Sequence, residues 1–344
     1  MIDDVTEPRS PSAPPTRKTT KGESMLLSRM AESIYWTGRY LERAETTARV
    51  IKAHTELYLD LPKAAGLGWE PLLRITGTSD TFEEIFDEPS EEYVVSFLAA
   101  DTRNPGSIVS SLERARNNVR TSRTIVPREA FEALNELHLT AAESRDMAVA
   151  RRGRIGWMSD VIGDVQRITG VLAGTMSHDE AYAFLRMGRQ IERADMTSRV
   201  LEVRVSSLAQ SSDRLMPYAD VQWMSMLKSL TAHQMYRRAM QTRVNGPDAL
   251  RFLLQDPRFP RSVDHCLDQF AKALEEVPRG DEVMPACIDA RELVSDTKVR
   301  TLVWEGLGEF VDELEICLAN LDNALNEVYF QGAVSHPSAM LASA

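Results

Sequence analysis

Residues 38–51 read GRYLERAETTARVI and residues 188–201 read GRQIERADMTSRVL, two nearly identical helical segments separated by a constant offset of 150. Eight of the fourteen positions are identical, and four more are Leu/Ile, Glu/Asp, Ala/Ser or Ile/Leu exchanges. A repeat that keeps its charged residues inside an apolar helical pattern predicts two equivalent elements meeting across a pseudo-twofold axis, within one body made of two related halves.

At about 100° per residue, Ile34, Gly38, Leu41, Glu45, Ala48 and Lys52 fall on one stripe, and Phe184, Gly188, Ile191, Asp195 and Ser198 fall on its counterpart. Glu45 and Asp195 therefore sit in the middle of apolar faces. A carboxylate there needs a partner, because burying an unpaired charge is too costly. Arg49 and Arg199 follow four residues later, the spacing at which helical side chains meet. Glu42 and Glu192 flank the same edge. Gly38 and Gly188 each cost about 1 kcal/mol against Ala in a helix, so their place on the stripe predicts close helix contact or room for a bound group.

A third, weaker copy is LERARNNVR, from Leu112 to Arg120. Arg116 takes the place of Glu45 and Asp195, and Arg120 that of Arg49. If this helix packs on the other two, Arg116 is expected to face both central acids.

Helical patterning runs along the chain, and no segment sustains period-two alternation, so the expected fold class is all-α: a single helical bundle. Ser90 and Ser107 read as N-caps, Pro127 as the first turn of another helix, and Ser177 with Glu180 as a capping box opening the second long helix. Gly156, Gly163, Gly170 and Gly174 lie near one face of a helix over 153–175. They predict a close-packed crossing or, alternatively, space for a ligand. The last helix is expected over 289–330. Residues 1–24, rich in Pro, Ser, Thr and Lys, and residues from 331 onward read as loose tails. The first of these lacks the apolar run of a secretory signal.

The formal charge is −11, so no basic excess is available to neutralise phosphates, and general nucleic-acid binding is disfavoured. No stretch reaches the roughly 20 apolar residues that span a bilayer. Cys266, Cys287 and Cys317 are odd in number and widely spaced, so they support neither a disulfide framework nor a zinc ribbon. Reduced thiols in a cytoplasmic protein are expected. There is no P-loop and no GxGxxG following a strand, and no serine has nucleophile-elbow context.

Glu42, Glu45, Glu192 and Asp195 are the candidate catalytic acids, and Arg49, Arg199, Arg116 and Arg120 the candidate substrate-binding cations. Paired carboxylates can hold a divalent metal or move protons, while arginines grip a carboxylate or phosphate. A ferritin-like dimetal site would need Glu-x-x-His, and no His stands at the matching places. The bland alternative is a buried ion-pair network that fixes helix register. His54, His138, His178, His233 and His265 are scattered and read as satisfied or surface groups. Asp256-Pro257-Arg258-Phe259-Pro260 reads as a rigid turn between helices, or else as a partner-binding loop.

Three stretches together resemble the bacterial alpha-E domain family: MLLSRMAESIYWTGRYLERAETTARVI from Met25, AYAFLRMGRQIERADMTSRVL from Ala181, and HQMYRRAM with FLLQDPRFPRSVDHCL, ending at Leu267. The similarity covers residues 25–330. Asn117 departs from the acid expected after Ala115-Arg116. The resemblance implies an all-α fold with characteristic glutamates, for which Glu32, Glu42, Glu45 and Glu192 are the matching positions. It also implies two neighbours, a circularly permuted ATP-grasp ligase and a transglutaminase-like peptidase, and hence a role in ligase-driven amide formation. On that basis the chain is expected to be a non-ATP-binding partner of the ligase. Arg49 and Arg199 would face a substrate carboxylate, and Glu45 and Asp195 an amine. The alternatives are an enzyme in its own right, with a divalent metal possible, and a structural scaffold.

Overall fold

The computed structural model describes residues 28–62, 67–209, 216–302 and 306–331, and among these no strand occurs. The chain runs through α1 (Ser28–Asp60), α2 (Glu70–Thr76), α3 (Ser79–Glu83), α4 (Glu91–Ala99), α5 (Ile108–Thr121), α6 (Arg128–Glu143), α7 (Arg145–Val149) and α8 (Arg151–Thr175). It continues through α9 (Glu180–Ala209), α10 (Ala219–Ser229), α11 (His233–Met240), α12 (Gly246–Gln255), α13 (Val263–Leu274), α14 (Gly280–Asp296), α15 (Val299–Leu302) and α16 (Leu307–Tyr329). The expected tails fall, apart from Gln331, outside the described residues.

The two repeat helices, α1 and α9, are the packed axis of the molecule, with α5 and α8 against α1 and α13 and α16 against α9. Touching positions keep an offset near 150 (Tyr35 with Gly188, Arg43 with Glu192, Glu42 with Arg193), so the helices run side by side in the same direction. The glycines permit this approach. A Cβ on Gly38 would fall inside the carbonyl oxygen of Leu185, and one on Gly188 inside that of Tyr35. Leu185 is the counterpart of Tyr35, so the contact is reciprocal. One continuous apolar core runs from Ala31 to Phe330 around this pair.

Several local expectations are corrected. α9 is capped by Asp179, not Ser177: its Oδ1 accepts from the amides of Ala181 (3.0 Å) and Tyr182 (3.4 Å). Gly156, Gly163, Gly170 and Gly174 do share a face of α8, but all are exposed and a Cβ on any of them would meet nothing, so they form neither a crossing nor a ligand recess. The single helix expected over 289–330 is not continuous: α14 begins earlier, at Gly280, tolerating Pro285 at the loss of one interior hydrogen bond, and ends at Asp296, while α16 starts afresh at Leu307 after Gly306 in the left-handed region. Ser90 and Ser107 cap as expected, accepting from the amides of Tyr93 and Ser110.

Candidate functional site

Glu42 on α1 is 1% exposed and saturated by arginines from elsewhere. Arg193 of α9 donates to its Oε2 at 2.6 Å, and Arg261 donates to its Oε1 at 2.5 Å, with the Thr46 hydroxyl at 3.3 Å. The counterpart, Glu192 on α9, is clamped from α1: Arg43 reaches both oxygens at 2.5 and 2.9 Å, and Arg39 reaches Oε2 at 2.9 Å. The two Glu-Arg dipeptides, Glu42-Arg43 and Glu192-Arg193, thus interlock crosswise. Burial pushes both carboxyls up, but the arginines (Arg193 and Arg261 on Glu42, Arg43 and Arg39 on Glu192) outweigh it and hold them below the usual range. Carboxylates held ionised in this way are weak bases and strong anchors.

Arg261 arrives from the loop between α12 and α13, which is built as a rigid turn. The Asp256 carboxylate accepts from the amides of Arg258 and Phe259, each at 2.9 Å. Ser262 then caps α13, accepting from His265 N at 3.2 Å. Thr197 of α9 donates to the Arg261 carbonyl at 3.1 Å and Arg193 to the Pro260 carbonyl at 3.2 Å, which pins the loop onto the repeat. Phe259 stacks inward on Phe252, with ring centroids 4.8 Å apart. The turn reading of this segment holds, and its function is to deliver a buried cation to two glutamates.

Glu45 lies one turn beyond Glu42. Its Oε1 accepts from Arg49 (2.6 and 3.0 Å), Arg261 (3.0 Å) and Gln166 of α8 (3.4 Å), and no hydrogen bond of the described residues falls on its Oε2. Arg49 is further tied to the Thr231 hydroxyl at 2.5 Å. The matching segment of α9 differs here. Asp195 accepts from Arg199 at 3.0 Å, and Arg199 also pairs with Glu315 of α16 at 3.2 Å, in a half-exposed cluster. No shared arginine or hydrogen bond joins Glu45 to Asp195. Glu45 faces α8 and the Arg261 loop, while Asp195 faces α16.

A narrow cleft enclosing about 10 Å³, room for about one water, lies between α1, α8 and α9. Glu42, Glu45 and Arg189 supply its charge, Gly38 its floor, and Leu41, Val165, Leu172 and Leu185 its apolar walls. Arg186 also lines it but is engaged by Glu276, at 2.7 and 2.9 Å. Arg189 is different: its Nε is buried without a partner, and no hydrogen bond or ion pair of the described residues engages its guanidinium. Burial lowers its pKa, with help from Arg193 and against the pull of Glu42.

Arg116 and Arg120 do not join this centre. α5 packs on α1 through Leu112, Ala115 and Val119, which turns Arg116 towards α6, where it donates to Asn135 at 2.6 Å. Arg120 is exposed at the end of the helix. Conversely, Arg39, Arg43, Arg189, Arg193 and Arg261 were not singled out as site residues by spacing within one helix. The signal that could have found four of them is the repeat itself, which carries Gly-Arg and Glu-Arg in both copies.

Among the described residues no group of three or more His, Cys, Asp or Glu side chains converges as a metal site would. The three cysteines are free, and burial pushes the thiols of Cys266 and Cys287 up to about 12. His54 is neither satisfied nor at the surface: it is 1% exposed and neither ring nitrogen has a hydrogen-bond partner. No described helix is long and apolar enough to cross a membrane.

The architecture defines an all-helical protein organised around crossed Glu-Arg pairs. The chain belongs to the Alpha-E family, described as a predicted alpha-helical domain with a conserved ER motif, whose model matches residues 26–330. Glu42-Arg43 and Glu192-Arg193 fit that description, as does Glu113-Arg114 on α5. Similar proteins include the uncharacterised Mb2597 of Mycobacterium bovis and Rv2567 of Mycobacterium tuberculosis, each 23% identical over 287 residues. The match covers 77% of this chain and 32% of either relative, so it takes up about a third of their length. No solved structure matches.

Proposed function

We propose that this chain is a non-ATP-binding helical component of an amide- or peptide-ligation system, in which an ATP-grasp ligase activates a carboxyl group and the glutamate–arginine centre positions an amino-acid or peptide group. The observation that supports this reading is the crossed glutamate–arginine centre, with Glu42, Glu45, Arg186 and Arg189 bordering one narrow recess and so charged groups of both signs beside each other. The chain has no phosphate-cradling glycine loop, which fits a component that leaves nucleotide chemistry to its partner. Its relatives carry about twice as much additional sequence as the matched part, consistent with a module that works beside others. A transglutaminase-like peptidase is the second proposed neighbour, and the cytoplasm the proposed compartment.

The test is an assay of the purified chain with and without its neighbouring ligase, ATP and pooled amino acids, read by mass spectrometry. An amide product that requires both proteins is expected, and Arg189→Met should reduce its yield while leaving the fold intact. The same product in the absence of this chain would overturn the proposal. The scaffold reading is favoured by one observation, the saturation of Glu42 and Glu192. Under it, Arg189→Met leaves the joint reaction unchanged.

A further inference from the structure

We infer that the exposed arginine face of α11 and of the loop after it docks a carboxylate-rich segment of another protein. The inference stands apart from the ligation role proposed above and rests on different residues.

Charge is spread unevenly along this chain. The whole is acidic, at −11, yet residues 233–258 hold five arginines against two acids. Arg237, Arg238, Arg243, Arg251 and Arg258 are all exposed, and no ion pair of the described residues engages them. Both acids are taken up inside the segment. Asp248 accepts from the side-chain amide of Asn245 at 2.9 Å, and Asp256 from the backbone amides of Arg258 and Phe259. Elsewhere on the surface arginines have acids beside them, as Arg103 has Asp101, Arg128 has Glu132 and Arg279 has Glu282. Burial first, and then the positive charges of Arg237 and Lys228, hold the His233 ring below its usual pKa, so this corner of the molecule is positive.

The face is also held in a fixed shape. Tyr236 is the one buried side chain of α11. Its ring packs edge-on against Phe252, with centroids 5.7 Å apart, and its hydroxyl donates to the Arg243 carbonyl at 3.3 Å, which ties the loop back to the helix. Thr231 and Gln241, on either side of α11, both have φ of 55°, a conformation rare outside glycine. Backbone kept in that state at both ends of one exposed helix points to a shape that is used. Met235, three residues before Arg238, is exposed as well and adds an apolar contact to the charged ones.

Arginines that lack acids suit carboxylates, which a guanidinium grips through two parallel hydrogen bonds. A nucleic acid or an anionic membrane fits less well, because an extended polyanion also meets the repulsive field of the acidic remainder.

The test uses the full purified chain and fluorescein-labelled oligoglutamate, read by anisotropy, beside labelled oligouridylate and phosphatidylglycerol vesicles. Saturable binding of oligoglutamate is expected, tighter than that of either other probe. Replacing Arg237→Glu and Arg238→Glu together should weaken it about tenfold, and Arg243→Glu, which lies outside the helix, should weaken it too. The control reverses Arg145 and Arg152, exposed arginines away from this segment, and should bind as the unaltered chain does. None of these side chains holds another residue, so the variants keep the fold. The inference is overturned if oligoglutamate does not bind, if oligouridylate or the vesicles bind more tightly, or if the α11 variant loses no more than the control.

Discussion

Arg193 of one repeat helix donates to Glu42 of the other at 2.6 Å, and the pair with numbers exchanged, Arg43 and Glu192, closes the same bridge at 2.5 Å. Each helix is therefore held by the acid of its neighbour and supplies the base in return. Glu42→Gln leaves Arg193 buried without its acid and Arg261 with Glu45 alone, and the expected loss is about 3–5 kcal/mol. Asp195→Asn breaks a half-exposed pair, and its expected cost is about 1 kcal/mol or less. Urea unfolding of the two variants checks the contrast, and equal losses would refute the unequal roles assigned to the two copies.

The glycines of the crossing and those of α8 should respond with opposite signs. Gly188→Ala drives a Cβ into the Tyr35 carbonyl, which as backbone of a packed helix has nowhere to move. Overpacking of this kind costs about 3 kcal/mol. Gly163→Ala meets open space and removes conformational freedom from the unfolded chain, for a gain of about 0.5–1 kcal/mol. Thermal melts of both proteins decide the matter.

Much of this was legible in the sequence. The constant offset of the repeat located α1 and α9, and helical phase placed Glu45 in the interior; it placed Asp195 there too, which is only part-buried, and left Glu42 and Glu192, the most buried of the four acids, at the edge of the stripe. The arginine partners were not legible, for a physical reason. Spacing rules capture pairs three or four residues apart on one helix, and they found Arg49 with Glu45 and Arg199 with Asp195. The bridges that seal Glu42 and Glu192 span far longer separations, and Arg261 comes from a loop. On a helical wheel Arg43 and Arg193 lie across the helix from the stripe that carries Glu45 and Asp195, so helical phase gives no hint that they reach acids on the neighbouring helix. Arg116 shows the converse. Its sequence register matched, but α5 presents a different face to α1 and turns it away.

Stability should fall in mild acid because of His54. Burial first, and the charge of Arg204 second, press its pKa down to about 3, and only a backbone group of Gly68 favours the charged ring. The unfolded ring takes up its proton near pH 6.5, so below that value the unfolded state binds more protons than the folded one. Stability is therefore lost as pH falls from about 6.5 towards 3, by up to about 1.4 kcal/mol per pH unit from this group. Glu42 and Glu192, whose folded pKa values are depressed, add their own loss as pH falls below about 4–5. Urea midpoints between pH 7 and 5.5 check this: His138 and His233, also held below the usual range by burial, titrate in the same window, so the part of the slope that His54→Gln removes is the share of His54.

Arg204, the counterpart of His54 in the second copy, is 8% exposed, has no ion-pair partner among the described residues, and is pulled by burial down to about 10. Replacing a buried, unpaired cation with an apolar chain of similar length relieves its desolvation. Arg204→Met is expected to raise stability by about 1–3 kcal/mol. A lowered melting temperature would show that the guanidinium has a counter-charge after all.

The bare edge of α8 bears on how firmly the Glu45 side of the centre is held. Val165, Thr169 and Leu172, which close one side of the cleft, are borne by the helix that has four glycines along its outer edge. With no side chains to shield it there, its amide ladder is open to water, and it owes its shape to what it leans on rather than to its own residues. The other two walls are riveted by guanidinium groups. Backbone hydrogen exchange should therefore be faster along 163–174 than at the crossing of α1 and α9.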